Sequence, residues 1–220
     1  MEITPRLSML KVNGWQVYRW QDGDRTTLID TGAPGGADEL TFPGLTQIVL
    51  THWHTDHVGA APELRTRTGA RVSAGAADAA VLRGLTPPQE PVLEDWERPL
   101  LERASAGLPR TLPPMEIDED LAEGQRLDIG AGAEVLSVPG HTDGSIAVHL
   151  PTERILFTGD AVAHSEGRVI LGVFNTDRKR AIESFHRLAD LDVDTVCFGH
   201  GDPIVGGAGK RLREAAEAYS

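Results

Sequence analysis

The chain has 220 residues, of which 40% are hydrophobic and 25% are charged, a composition typical of a globular protein. Its 33 Asp and Glu residues outnumber its 21 Lys and Arg residues and give a formal net charge of −12, which disfavours binding to nucleic acid. The single cysteine, Cys197, excludes an intrachain disulfide, and the sequence has no run of about 18 apolar residues to span a membrane.

The N-terminal residues indicate the expected location of the protein and its first two strands. Residues 1–5 lack a basic stretch followed by an apolar run, so we expect a cytoplasmic protein. Residues 15–20 alternate between apolar and polar types, residues 21–24 favour a turn, and residues 26–30 return as a strand. We expect the carboxylate of Asp30, at the end of that strand, to orient the histidine-rich loop that follows, or else to cap a turn.

Four candidate metal ligands lie close together in that loop: His52, His54, Asp56 and His57. The preceding run, residues 47–50, predicts a short buried strand. If this strand continues through His52 and His54, the alternation of side chains points both imidazoles the same way. Asp56 and His57 come where a helical pattern begins, so they can face a second point in space. One loop could therefore serve two metal ions.

A proline-rich segment interrupts the pattern of helices and strands. Before it we expect a helix, a strand over 71–74 and a second helix over 76–83. Residues 87–114 then contain seven of the 14 prolines, with one short helical pattern that includes Trp96 and Leu100. A long irregular segment in a compact protein is usually functional. We therefore predict a single domain that contains this segment as a lid, or as an insert packed on the outside or against another subunit.

The second half of the chain is rich in strands. We expect strands over 125–129, 133–138, 145–150, 154–158, 169–173 and 193–198, and helices over 177–189 and 208–219. Strands followed by helices in both halves indicate an α/β layered architecture.

Three further polar side chains follow predicted strands: His141, Asp160 and His200. Each comes after an apolar run and is flanked by glycine, which lets the backbone approach closely. A lone histidine after a strand is usually structural, but these residues and the histidine-rich loop together supply five imidazoles and two carboxylates. Such ligands suit zinc and also tolerate iron or manganese.

The pattern of these residues resembles that of the metallo-β-lactamase-fold hydrolases, with the closest similarity to the glyoxalase II and lactonase branches. The motifs that carry the resemblance are His52-x-His54-x-Asp56-His57, Pro139-Gly140-His141-Thr142, Thr158-Gly159-Asp160 and Gly199-His200. The resemblance covers most of the chain and implies an α/β (α+β) fold, a four-layer αββα sandwich with the metals at one edge of two packed sheets.

The resemblance also implies how the ligands are shared between two metals. The first metal would be held by His52, His54 and His141. The second would be held by Asp56, His57 and His200. Asp160 would bridge both.

A centre of this kind predicts a binuclear hydrolase that attacks an ester-like carbonyl of a small substrate (thioester, lactone or ester) with a metal-bridging hydroxide. Asp56 would orient the hydroxide or accept its proton, and Asp160 would complete the catalytic pair. We expect two divalent metal ions, zinc first, with iron or manganese as alternatives. Two other functions could use the same ligands: a mononuclear iron persulfide dioxygenase, and a metal-binding protein without efficient turnover.

The remaining expectations concern the surroundings of the metals. Residues 87–114 would cover them and select the substrate, with Trp96 and Leu100 in the pocket wall. His164 could also reach the pocket. The other two histidines and Cys197 are expected to be ordinary structural residues. We expect no nucleic-acid or membrane partner, and the sequence leaves the oligomeric state open.

Overall fold

The computed structural model describes residues 1–219, and the chain divides into two compact units. The first unit contains residues 1–87 and 107–121, and the second contains residues 88–106 and the chain from residue 122 onward. Each unit has its own sheet and its own hydrophobic core, which confirms the predicted mixed α/β class. Within residues 1–219, no helix is both long enough and apolar enough to cross a membrane.

The first unit contains a seven-stranded sheet. Its strands are β1 (Glu2–Thr4), β2 (Leu7–Val12), β3 (Trp15–Asp22), β4 (Arg25–Ile29), β5 (Leu45–Leu50), β6 (Arg71–Gly75) and β7 (Glu119–Leu121). They lie in sequence order, antiparallel from β1 to β4 and parallel from β4 to β7. The helices of this unit are α1 (Ala37–Leu40), α2 (Thr55–Val58), α3 (Ala61–Thr68) and α4 (Ala76–Leu82).

The parallel strands of the first unit determine where its polar groups collect. Ile48 and Leu50 of β5 and Val72 of β6 are fully buried and share one core with Leu64 of α3. Because β4 and β5 are parallel neighbours, their C-terminal ends meet at the same edge of the sheet. The segments that begin there start with Asp30 and with Thr51.

The second unit contains a six-stranded sheet and a separate two-stranded hairpin. Its strands are β8 (Arg126–Leu127), β9 (Ala133–Ser137), β10 (Ile146–Leu150), β11 (Ile155–Phe157), β12 (Val162–Ser165), β13 (Arg168–Leu171), β14 (Thr195–Cys197) and β15 (Ile204–Val205). The larger sheet has the order β15-β14-β11-β10-β9-β8, in which only β11 and β14 are parallel, and β12 pairs with β13. The helices are α5 (Arg98–Ala104), α6 (Arg178–Ala189) and α7 (Ala208–Ala216), with 3₁₀ turns at Gly159–Ala161 and Glu217–Tyr219.

The helix α6 confirms the helix predicted over residues 177–189. The Asp177 side chain accepts a hydrogen bond from the Arg180 N–H at 3.1 Å and so satisfies one of the otherwise unpaired amides of the first turn. Ala181, Phe185 and Leu188 are buried on one face and join the core of the second unit.

The structure corrects three sequence-based expectations. The strand before the histidine-rich loop ends at Leu50 and does not continue through His52 and His54. The single helix expected after the loop is two helices, α2 and α3, because the Gly59 N–H donates to the Gly32 carbonyl at 2.7 Å and the chain is held there. Trp96 lies just before α5, outside the helix.

Candidate metal centre

The carboxylate of Asp30 organises the histidine-rich loop of the first unit. Asp30 follows β4 with φ of 62°, in the left-handed backbone region that Asp tolerates better than most residues. Its Oδ1 accepts a hydrogen bond from the Thr51 N–H at 2.8 Å. Its Oδ2 accepts from the Thr51 hydroxyl and from His57 Nδ1, each at 2.8 Å. Only 4% of Asp30 is exposed, so water competes little for these bonds.

These hydrogen bonds determine which ring nitrogen of two histidines carries the proton. An ionised carboxylate can only accept, so Nδ1 of His57 donates to Asp30 and Nε2 keeps its lone pair. The Thr51 hydroxyl gives its proton to Asp30, so it accepts from Nδ1 of His52 at 3.1 Å. Both imidazoles are 1% exposed and present Nε2 as the atom that can bind a metal.

A second buried carboxylate, Asp78, supports the same loop. Asp78 lies in α4 and is 1% exposed, and its Oδ2 accepts a hydrogen bond from the Trp53 N–H at 2.9 Å. The Thr51 N–H donates to Asp30 and the Trp53 N–H donates to Asp78, so neither amide is available to pair with a neighbouring strand. These two bonds explain why β5 stops at Leu50.

The candidate ligands of the first unit lie within reach of shared metal ions. Ligand atoms of His52 and His54, of His52 and His57, and of Asp56 and His57 are within 4.8 Å of each other. Nε2 of His57 lies 3.6 Å from Oδ2 of Asp56. Atoms bound to one tetrahedral zinc ion at about 2.0–2.1 Å lie about 3.3 Å apart. The spacing in the loop is therefore close to that of ligands around a metal.

The second unit brings together His141, Asp160 and His200. Oδ2 of Asp160 lies 3.6 Å from Nε2 of His141 and 3.1 Å from Nε2 of His200. Asp160 and His200 follow the parallel neighbours β11 and β14, so the sheet places them at one edge. A single carboxylate thus lies between two imidazoles at distances typical of shared metal ligands.

The ring of His141 is also fixed by a hydrogen bond. Its Nδ1 lies 2.9 Å from the Val173 carbonyl oxygen, and because a carbonyl can only accept, Nδ1 carries the proton. His141 is 1% exposed and presents Nε2 toward Asp160. Three buried imidazoles, one in the second unit and two in the first, therefore share the tautomer that leaves the Nε2 lone pair available to a metal.

His164 supports the loop that carries His200. The His164 N–H donates to the His200 carbonyl at 3.0 Å, and Nδ1 donates to the Asp202 carbonyl at 2.7 Å. Its Nε2 lies 3.4 Å from Nη2 of Arg211 in α7. The backbone and Nδ1 of His164 thus hold the loop, while Nε2 contacts α7. The expected contribution of His164 to a substrate pocket stays a prediction.

Gly201 closes the same loop where there is no space for a side chain. Its φ is +93°, and a Cβ atom built on it would lie 1.7 Å from the His164 carbonyl oxygen. We expect Gly201→Ala to lower the free energy of unfolding by about 3 kcal/mol or more, because it adds a backbone clash to a left-handed conformation. Denaturant unfolding of the purified variant measures this loss.

Gly206→Ala is the matched control for this prediction. Gly206 also has a positive φ, +83°, but a Cβ there would meet no atom within 4 Å. Its cost should be about 1 kcal/mol, from the backbone conformation alone. Equal losses in the two variants would show that the contact with His164 is unimportant.

The other residues considered from the sequence range from exposed to fully buried. Trp96 is 57% exposed and Leu100 is half-buried in α5, and their place in a pocket wall stays a prediction. His149 is buried in β10, where burial lowers the pKa of its imidazole. Nε2 of His186 lies 3.3 Å from the Tyr219 carbonyl oxygen. Cys197 is fully buried, and burial raises the pKa of its thiol well above the usual range, as expected for a core residue.

The donor atoms fit divalent metal ions by their chemistry. Neutral imidazole and carboxylate ligands bind zinc well and accept iron or manganese. The Nδ1 protons of the three buried histidines are already engaged, as is usual for metal-binding imidazoles. The residues of each unit are therefore suited to binding a divalent metal ion.

Comparison with known proteins identifies the family. The chain matches the family described as the metallo-beta-lactamase superfamily over residues 14–200, which is most of its length. The chain belongs to this superfamily.

Named relatives of this metallo-β-lactamase superfamily member include hydrolases. It is 37% identical over 184 residues to a hydroxyacylglutathione hydrolase from Fuscovulum blasticum, in a match that covers 80% of this chain and 57% of the relative. It spans 48% of the length of the hydroxyacylglutathione hydrolase from Cereibacter sphaeroides. The matched region thus spans only about half the length of these hydrolases.

Solved structures share the fold of this superfamily member. The metallo-β-lactamase superfamily protein ST1585 from Sulfolobus tokodaii has a TM-score of 0.72 at 21% identity, over 98% of this chain and 86% of that chain. TTHA1623, solved in a di-iron-bound form, has a TM-score of 0.67 at 27% identity, over 94% of this chain and 97% of that chain.

Sequence reasoning missed two groups that support the candidate ligands of this superfamily member. Asp78 was detectable in principle, because an acidic residue on the buried face of an alanine-rich helix needs a partner. The Val173 carbonyl was not detectable, because every residue has a carbonyl and nothing in the side chain marks it as an acceptor.

Proposed function

We propose that this chain is a binuclear metal-dependent hydrolase that attacks a thioester or another ester-like carbonyl of a small substrate. His52, His54 and His141 would hold one metal ion, and Asp56, His57 and His200 would hold the other. Asp160 would contact both. The observation that carries the proposal is that three buried imidazoles have their Nδ1 protons engaged by fixed acceptors and present Nε2.

The chemistry follows from the charge and acidity of the bound groups. Two divalent ions, when bound, supply positive charge that polarises a carbonyl and make a water molecule acidic enough to act as a nucleophile at neutral pH. Asp56, 3.6 Å from Nε2 of His57, would orient the attacking water and accept its proton. Asp30 and Asp78 would keep the loop in place during the reaction, because their acceptor atoms are buried.

The acyl group of the substrate is proposed from the named relatives. Several are hydroxyacylglutathione hydrolases at 36–37% identity, and hydroxyacylglutathione is a thioester. Since the chain spans about half of those proteins, we extend to it the reaction at the thioester carbonyl and leave the thiol part of the substrate open. A test with thioesters that share one acyl group but differ in the thiol would measure how far the similarity extends.

The rest of the proposal concerns surroundings and location. Residues 87–114 would cover the metals and choose the substrate, a role supported by the hydrogen bonds that tie residues 92–97 to the loop next to His141. We also propose a cytoplasmic location, because the single cysteine is buried and forms no intrachain disulfide, and disulfides are typical of proteins in oxidising compartments. Nucleic-acid and membrane partners are not expected.

Metal content is the experiment that tests the function. Elemental mass spectrometry of the full chain, purified without added metal, should give about two metal ions per chain, with zinc as the main element. A chelator should remove the metal and abolish hydrolysis of the thioesters in the thiol-varied panel that the chain cleaves, and added Zn²⁺ should restore both metal content and hydrolysis.

The same measurement separates the alternatives. One iron ion per chain, with oxygen consumption in the presence of a persulfide and no thioester hydrolysis, would replace the proposed hydrolase by a dioxygenase. Two bound ions with no turnover on thioesters, lactones or esters would leave a metal-binding protein. A folded chain that takes up no zinc, iron or manganese would refute the proposed centre.

A further inference from the structure

A loop of the second unit, residues 172–177, carries the group that orients His141. It joins β13 to α6. The Val173 carbonyl accepts the hydrogen bond from His141 Nδ1 at 2.9 Å, and the Thr176 N–H donates to the His141 carbonyl at 3.3 Å. The loop therefore contacts both the ring and the backbone of this ligand.

The loop is held in a conformation that its own residues do not favour. Phe174 has φ of 60°, in the left-handed region that is unfavourable for an aromatic residue. Asn175 is 2% exposed, and its Nδ2 donates to the Gly172 carbonyl at 2.6 Å. A Cβ atom on Gly172 would lie 1.7 Å from the Asp160 carbonyl oxygen, so the loop cannot relax in that direction. Such a loop needs contacts from outside to keep its shape.

The outside contacts come from the proline-rich segment. Oε1 of Glu97 accepts a hydrogen bond from the Phe174 N–H at 3.0 Å, and Oε2 accepts from the Glu94 N–H at 2.8 Å. The Val92 N–H donates to the Asn175 carbonyl at 2.9 Å. Glu97 is 2% exposed although it is charged and lies in a segment of mostly exposed residues. Its burial is explained by the two hydrogen bonds that its carboxylate accepts from backbone N–H groups.

One peptide group connects Glu97 to His141. The Val173 carbonyl and the Phe174 N–H are the two ends of the same planar peptide unit. Glu97 fixes the N–H end, so the carbonyl end is held in the direction of His141 Nδ1. A negative charge on the N–H side also polarises the peptide and makes its carbonyl a stronger acceptor.

We propose that Glu97 is a positioning residue for the candidate metal ligand His141 and that it acts through the peptide group between Val173 and Phe174. The consequence for metal binding rests on the proposed function. Under this arrangement the segment that would select the substrate also sets how tightly one metal ion is held, because both depend on residues 92–97.

The test uses full-length Glu97→Ala and Glu97→Gln proteins labelled with ¹⁵N-histidine. In the metal-free state, nuclear magnetic resonance measures the solvent exchange of the His141 Nδ1 proton, which should be at least about tenfold faster in Glu97→Ala. Zn²⁺ affinity, from competition with a chromophoric chelator, should fall about tenfold at one site, the lower end of the range for a lost outer partner. Glu97→Gln should lie between, because its one amide oxygen can still accept from Phe174.

Two controls make the result specific. Glu102→Ala removes the same side chain from an exposed position of α5 and should change neither quantity. The Nδ1 proton of His57, bound to Asp30 in the first unit, should exchange at an unchanged rate in every variant. Faster exchange at both His141 and His57 would indicate general destabilisation and would overturn the proposal.

Failure of the inference and failure of the proposed function are distinguishable. If the exchange of the His141 Nδ1 proton and the Zn²⁺ affinity are unchanged in both Glu97 variants, Glu97 does not position His141. That result would leave the proposed hydrolase activity untouched. If the unmodified chain binds no zinc, iron or manganese, the proposed function fails, whereas the exchange comparison still decides whether Glu97 positions His141.

Discussion

Replacing Asp160 with alanine should remove at least one metal ion per chain and lower thioester hydrolysis by more than about 100-fold. Loss of a partner outside the metal shell costs up to about 100-fold, and loss of a metal ligand should cost more. Oδ2 of Asp160 lies between Nε2 of His141 and Nε2 of His200, so its loss would remove a negatively charged ligand from the metals that these two imidazoles would hold. Elemental mass spectrometry and a thioester assay on the same preparation measure both effects.

Asp192→Ala is the control for this experiment. The Asp192 side chain is 85% exposed and pairs with Arg154 at 2.7 Å, so its removal alters the same unit without touching a candidate ligand. It should retain full metal content and activity. An Asp160→Ala protein that keeps two ions and normal turnover would show that Asp160 does not bridge the metals.

Removing the carboxylate of Asp30 should weaken both the fold and the metal site. In Asp30→Ala, three donors that now reach Asp30 lose a buried acceptor, and the free energy of unfolding should fall by about 3 kcal/mol. Metal affinity should fall by about 10–100-fold, because His57 and, through Thr51, His52 lose the partners that fix their tautomers. Denaturant unfolding and chelator competition measure the two losses separately.

Asp30→Asn separates charge from backbone strain. Asn tolerates the left-handed conformation as Asp does, whereas Ala does not, so Asp30→Asn should be the more stable of the two variants. It should still lose metal affinity, because one acceptor oxygen is replaced by a donor. Asp24→Ala, in the exposed turn between β3 and β4, should behave as the unmodified chain. If both Asp30 variants bound metal normally, the role assigned to Asp30 would be wrong.

The sequence predicted the strands that precede the candidate ligands, and the candidate ligands themselves, because their signals are local. His52, His54 and His57 lie within six residues, and apolar runs mark β5, β11 and β14 on either side of the polar positions. The family resemblance then supplied the sharing of ligands between two metals, which no local pattern contains. That sharing stays a prediction.

What the sequence did not predict depends on contacts between distant residues. The expected continuation of β5 was wrong because Asp30 and Asp78 draw the Thr51 and Trp53 amides out of the ladder, and neither partner is close in sequence. In the sequence, nothing distinguishes Glu97 from the other charged residues of the proline-rich segment. Its burial depends on the Phe174 amide, 77 residues away, and no periodic pattern reports such a pairing.

The glycines beside the candidate ligands also limit how this chain can diversify. A methyl group at Gly172 or Gly201 would fall within 1.7 Å of a backbone oxygen, so these positions cannot drift without moving the main chain. Val92 and Trp96, at 73% and 57% exposure, face no such limit although they flank the anchored Glu97. Substitutions should therefore be tolerated more readily at the exposed positions of the proline-rich segment than at these two glycines.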